Sequence, residues 1–166
     1  MLIRLIEAAD VASPWAAGRY EMETVDRYTE EKWKPDLAWC RERGIDYLPC
    51  VFPGFSWANM KRDSGLSDQI SRHGGRFLWK QFTNLVGIGV QQVYVGMFDE
   101  IDEGTQILKV DNEPPVSGKD TFLSYYPHPE DHYLWITGLA QKLLRREIHL
   151  SEEFPKRQDD SRPEKK

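Results

Sequence analysis

Apolar residues recur along the chain at two periods, and where each period holds predicts the order of the elements. Leu2 to Ala12 (LIRLIEAADVA) is a short apolar segment stopped at Ser13-Pro14-Trp15, since the residue before a proline is pushed out of the helical region; it is read as a strand. Thr24 to Arg43 has helical composition, with Trp33, Leu37 and Cys40 on one face at i, i+4, i+7. Pro35 either kinks that helix or opens a second one, and Gly44 ends it as a left-handed cap would. Ile45 to Phe52 reads as a second strand, closed by the turn dipeptide Pro53-Gly54. Ser56 to Gly75 is a long polar connection, and connections of that length usually serve function or motion.

Helical spacing returns from Arg76 to Gly89 through Leu78, Phe82 and Leu85. Gln91 to Phe98 is a third strand, apolar enough to be covered on both faces as a parallel strand is. TFLSYYP, residues 121–127, is read as a fourth strand, and Glu130 to Arg146 as a last helix with an apolar stripe of Ile136, Ala140, Leu143 and Leu144. Strands alternating with helices predict an α/β fold with a parallel sheet. Three or four strands are about half of a (β/α)8 TIM barrel, which takes on the order of 250 residues, so residues 1–150 are read as part of such a barrel or as a complete small sheet. The charged tail, residues 151–166, carries Phe154 as its single large apolar side chain and is expected to be disordered.

At 166 residues the length suits one domain. Six Trp, seven Tyr and seven Phe are many for it, and rings in that number suit a ligand with stacking faces, although core packing is their commoner use. A net charge of −5 without a basic cluster outside the tail argues against nucleic acid. Cys40 and Cys50 lack the spacing of a metal or redox motif and read as small buried hydrophobes. No run approaches the ~18 apolar residues of a membrane span, and MLIRLIEAAD is too short for a signal peptide.

The third strand runs directly into Asp99, Glu100, Asp102 and Glu103. In βα folds the residues just after a strand's carboxyl end line the functional face, so these acids stand where chemistry is done. Glu100 and Glu103 are spaced i, i+3 in a turning loop, which can bring two carboxyls to the roughly 5–5.5 Å used by retaining glycosidases. Repulsion between them would split their roles into acid and base. Two other uses stay open: the solvated start of a following helix, favoured by its dipole, and a hard-cation site, although the loop lacks the calcium-loop pattern. His128 and His132 sit where capping explains them, so no metal is expected there.

FDEIDEGTQI resembles the E-x-x-E-G-T-Q-I signature of glycoside hydrolase family 99, the endo-α-mannosidases, and of the broader family 71/99-like group. PGFSWANM, then Arg72 and GGRF, is similar to that family's Pro-Gly-aromatic loop with its spaced asparagine, arginine and glycine-aromatic, and the likeness spans about Ile45 to Leu108. It implies a (β/α)8 barrel of which this chain is the C-terminal half, and a retaining mechanism on α-mannosides through a 1,2-anhydro sugar. Glu100 would then be the base towards the sugar 2-hydroxyl and Glu103 the general acid/base at the glycosidic oxygen, with no cofactor. Phe55, Trp57, Asn59 and Arg76 are the candidate substrate contacts, with Trp15 and Trp79 as further stacking rings and Arg19, Arg72 and Arg76 as partners for a ligand or for Asp99 and Asp102.

The family's N-E-W-H-E is replaced here by Asp99-Glu100-Ile101-Asp102-Glu103, and its Pro-Gly-Tyr by Pro53-Gly54-Phe55, so Asp99 and Asp102 are where specificity is expected to differ. The partner implied is a carbohydrate, and relatives of this group are often exported, which implies a periplasmic or extracellular place. The competing expectation is a non-catalytic fragment or sugar-binding remnant, whose unpaired sheet edges would favour self-association.

Overall fold

The computed structural model of the chain describes residues 2–114, 120 and 122–157. Its first element is a helix, α1 (Leu2–Ile6), where the sequence predicts a strand; only β1 (Val11–Ala12) is extended. Leucine and arginine are good helix formers, and a short apolar run carries no period that separates helix from strand.

The helix expected over Thr24 to Arg43 forms as α2 (Val25–Tyr28), a π turn (Thr29–Trp33) and α3 (Lys34–Arg43). The wide turn lies just before Pro35, which has no N–H to donate and whose ring crowds the preceding turn; the Lys34 N–H reaches the Thr29 carbonyl instead. Trp33, Leu37 and Cys40 are buried on one face, and Gly44 closes α3 in the left-handed conformation at φ 66°.

The second strand is divided into β2 (Asp46–Tyr47) and β3 (Cys50–Val51), with Pro49 between them. β1 pairs parallel with β2, and β3 pairs parallel with β4 (Tyr94–Val95). The N–H groups of Asp46 and Leu48 donate to Asp10 and Ala12 carbonyls, whereas the Pro49 and Val51 carbonyls accept from Tyr94 and Gly96. Alternate residues of a strand direct their backbone groups to opposite sides, so residues 46–51 are a central strand with β1 on one edge and β4 on the other. The fold is therefore α/β with short parallel strands in sequential order, and the described residues do not close a barrel.

Beyond the end of β1 the central strand has no strand neighbour on that side among the described residues, and side chains take that place. Tyr20 Oη donates to the Cys50 carbonyl at 3.2 Å. The Gln81 carboxamide, on α5 (Arg76–Gly87), accepts from the Phe52 N–H at 3.0 Å and donates to the Phe52 carbonyl at 2.8 Å, as a neighbouring peptide would. Gln81 Oε1 also accepts from Tyr20 at 2.8 Å. Phe77, Leu78, Phe82 and Leu85 of α5 are buried around it with Tyr20, Trp33 and Phe52.

The connection from Ser56 to Gly75 folds on itself through α4 (Ala58–Lys61), two 3-10 turns (Ser64–Leu66 and His73–Gly75) and a paired Phe55–Ile70 bridge. Residues 122–127 form no strand; the Tyr125 N–H is taken by Asn112 Oδ1 rather than by a sheet. Thr121 of that expected strand lies outside the described residues.

The last helix, α6 (His132–Leu144), buries Ile136, Ala140 and Leu143, and His132 Nε2 lies 2.9 Å from the Gly74 carbonyl. Residues 151–157 are ordered against this helix, contrary to the composition of the tail. Trp79 Nε1 donates to the Ser151 carbonyl at 3.2 Å, Phe154 packs on the core, and Arg157 makes a two-pronged contact with Asp131 at 2.7 and 2.9 Å. One aromatic anchor and one forked ion pair suffice where composition suggests solvation; residues 158–166 lie outside the described residues. Cys40 and Cys50 are free and buried, and no helix among the described residues is long and apolar enough to cross a membrane.

Candidate active site

The acidic loop leaves the carboxyl end of β4 and closes on its own stem. The Met97 N–H donates to the Thr105 carbonyl at 3.2 Å, and the Phe98 carbonyl accepts from Ile107 and Leu108 at 3.0 and 2.9 Å. Inside that stem the Thr105 N–H donates to the Glu100 carbonyl, the Gly104 N–H to the Ile101 carbonyl, and the Asp102 N–H to Glu100 Oε1 at 3.2 Å. This tight turn puts both glutamates on one excursion, and among the described residues no helix follows the acids before α6, which argues against the helix-start alternative. Gly104 permits the turn at φ 63°, and a Cβ there would come within 2.8 Å of Leu123 and 3.3 Å of Ser56.

Glu103 sits half-buried in this turn. Partial burial first, and the neighbouring charges of Glu100 and Asp102 after it, raise its carboxyl above the ordinary value of 4.5. Its own carbonyl accepts from the Ser56 N–H at 2.7 Å, so the Pro53-Gly54-Phe55-Ser56 turn after β3 grips the loop after β4. A carboxyl with raised proton affinity next to a second carboxylate is an arrangement suited to general acid chemistry.

Behind the loop lies Arg72, which is buried. Its Nη2 donates to the Gly104 carbonyl at 2.5 Å and to Gln106 Oε1 at 2.8 Å, and its Nη1 to the Gln106 carbonyl at 3.4 Å. The guanidinium faces the rings of Tyr125 and Tyr133 at 5.1 and 4.8 Å. Tyr125 Oη donates to the carbonyls of Gln106 and Leu108, and burial pushes the Tyr133 phenol up to about 12. The expected pairing of Arg19, Arg72 or Arg76 with Asp99 or Asp102 is absent among the described residues. Arg72 serves backbone carbonyls because its side chain lies beneath the loop, while both aspartates are exposed above it.

Among the candidate substrate contacts, Phe55 is buried and its ring meets Trp57 at 4.8 Å, with Trp57 half-buried and Asn59 half-buried on α4 close by in sequence. The Ser56 grip brings this segment to the acidic loop. Arg76 is placed elsewhere: its guanidinium stands 5.4 Å over the Phe154 ring, in a groove of about 270 Å³ shared with Met22, Trp79, Lys80 and Glu152, none of them from the loop. Trp79 is core. Trp15 is half exposed and faces Tyr94 at 6.4 Å. Sequence reasoning did not single out Ser56 as a backbone donor, nor Gln106 and Tyr125 as braces; the one signal for Gln106 was its place inside the E-x-x-E-G-T-Q-I match.

An α/β domain of parallel strands that carries a paired-carboxylate loop at a strand's carboxyl end is the class these features define. No family model matches the chain. A zebrafish (Danio rerio) protein described as glycoprotein endo-alpha-1,2-mannosidase-like is 25% identical over 109 residues, 66% of this chain and 24% of that protein. Among solved structures, the family 99 endo-alpha-mannosidase of Bacteroides thetaiotaomicron superposes with a TM-score of 0.65 at 20% identity, covering 83% of this chain and 41% of that one, in its complex with bis-tris-propane. A second structure of that enzyme gives 0.65 over 82% and 38%. The chain is thus similar to the endo-α-mannosidases in sequence and fold, and it spans about a quarter of the curated relative and about two-fifths of the solved chains.

Proposed function

We propose that the chain is the acid/base-bearing part of a glycoside hydrolase-like protein that acts on a glycan by a retaining, two-glutamate mechanism of the endo-α-mannosidase kind. The observation that carries this reading is Glu103, held with a raised proton affinity in one tight turn with Glu100 at the carboxyl end of β4. In the first step Glu103 gives its proton to the leaving glycosidic oxygen while Glu100 takes the proton of the sugar 2-hydroxyl, whose oxygen attacks the anomeric carbon to give a 1,2-anhydro sugar. In the second step Glu103, now ionised, takes a proton from water as it opens that ring, and Glu100 returns its proton to the 2-oxygen. Two inversions give net retention. Trp57 and Asn59 stand beside the loop as sugar contacts, and Asp99 and Asp102, exposed on its rim, meet the parts of the sugar that set specificity.

The test is release of reducing ends from α-mannans and a glycan panel by the chain and by Glu103→Gln. Hydrolysis by the wild type and its loss by at least about a hundredfold in the variant is the expected result, within the range that one general acid/base contributes. Undiminished hydrolysis by the variant removes Glu103 from the mechanism.

A second reading rests on the open side of the loop, where Phe98 is 59% and Ile101 42% exposed and no opposite wall is built by the described residues. On that reading the chain binds a glycan without cleaving it. Calorimetric titration that shows binding of a glycan which is never hydrolysed would favour it.

A further inference from the structure

Arg72 is 6% exposed, yet no carboxylate answers its charge among the described residues. An isolated buried charge is costly, and a protein keeps one when its fork of donors is used. Three acceptors take that fork: the Gly104 carbonyl, the Gln106 carbonyl and Gln106 Oε1. Gly104 is the residue directly after Glu103, whose own carbonyl is held by the Ser56 N–H. The backbone that carries Glu103 is therefore gripped on both sides, from the turn after β3 and from the buried guanidinium. The rings of Tyr125 and Tyr133 leave that guanidinium little freedom to turn, and Tyr125 Oη holds the Gln106 carbonyl as well. Gly54 completes the seat, since a Cβ there would meet Arg72 Cγ at 2.6 Å. Among the described residues, the hydrogen bonds of Glu100 come from within the loop itself.

We infer that Arg72 is the positioning residue of the acidic loop, setting where Glu103 stands relative to Glu100 through its forked contacts with the Gly104 and Gln106 carbonyls. Its effect on turnover rests on the two-glutamate reading; its effect on the loop rests on these contacts alone. Lysine could keep the charge and the stem but could not span both carbonyls.

The experiment compares the whole chain with Arg72→Lys and Arg72→Met, each checked for folding by near-UV circular dichroism, and follows the Glu103 carboxyl by carbon-13 NMR across pH 3–9. Glu100 and Asp102 are the charges that face it, and both are unchanged in the variants. In folded Arg72→Lys the Glu103 titration falls back towards the ordinary glutamate range, and on an aryl α-mannoside kcat drops at least about tenfold with KM within about twofold. A folded Arg72→Lys whose Glu103 titrates as in the wild type overturns the inference, as does a shift seen in Arg72→Met alone, which would make charge rather than the fork responsible. Should Arg72→Met not fold, Arg72→Lys carries the test. A wild type that cleaves no α-mannoside refutes the glycosidase reading, while the titration still decides the role of Arg72.

Discussion

Replacing Gln81 by Met should cost more than any surface substitution in this chain, although methionine fills nearly the same volume. The glutamine is fully buried, and its amide is the only hydrogen-bond partner of the Phe52 N–H and carbonyl among the described residues, at 3.0 and 2.8 Å. Methionine keeps the packing and removes both contacts, and Phe52 is itself fully buried, so water does not replace them. Each orphaned buried backbone group costs about 1–3 kcal/mol, which puts the loss at about 2–6 kcal/mol. The Tyr20 hydroxyl adds little, because it retains the Cys50 carbonyl. Against a total stability of about 5–15 kcal/mol, the urea midpoint should fall by about 1–3 M at a slope near 2 kcal/mol/M. Equilibrium unfolding followed by tryptophan fluorescence measures it. A variant within about 1 kcal/mol of the wild type would mean that Phe52 finds other partners, and that the amide does not stand in for a strand.

The Glu103→Gln change also has a stability signature. A carboxyl with a raised native pKa contributes stability that is complete below its unfolded value of 4.5 and is lost as pH rises through the native value. The variant, which has no charge to bury, should therefore melt higher than the wild type at pH 7 and equal to it at pH 3.5; a difference that does not change with pH would contradict the burial and repulsion assigned to Glu103. On the open side of β1, Ile3 and Leu5 are 61% and 64% exposed beside a groove of about 590 Å³ lined by Ile6, Val11, Trp39 and Tyr47. Sedimentation velocity should show concentration-dependent self-association that Leu5→Asp weakens, and a monomer at every concentration would refute association through this face.

Much of this was legible in the sequence, and for identifiable reasons. α3, α5 and α6 announced themselves because their apolar faces repeat at helical spacing, and Gly44 marked its cap because few other residues tolerate that backbone. The place of the acidic loop was legible because an apolar strand runs directly into its four acids. α1 was misread because five apolar-rich residues hold less than two helical turns. The order of residues 151–157 was not legible because composition averages over residues and cannot see that Phe154 meets His132 and Trp135 or that Arg157 pairs with Asp131. The role of Arg72 was not legible at all: it depends on two backbone carbonyls some thirty residues away, and backbone carbonyls leave no mark in a sequence.

The central claim is that Glu100 and Glu103 cleave an α-mannoside with retention. Proton NMR of the first-formed sugar, recorded as the chain acts on an α-mannoside substrate before mutarotation, tests it most directly. The account predicts the α-anomer first, and none from Glu100→Gln or Glu103→Gln. First appearance of the β-anomer, or an α-anomer formed equally fast by both variants, would contradict it.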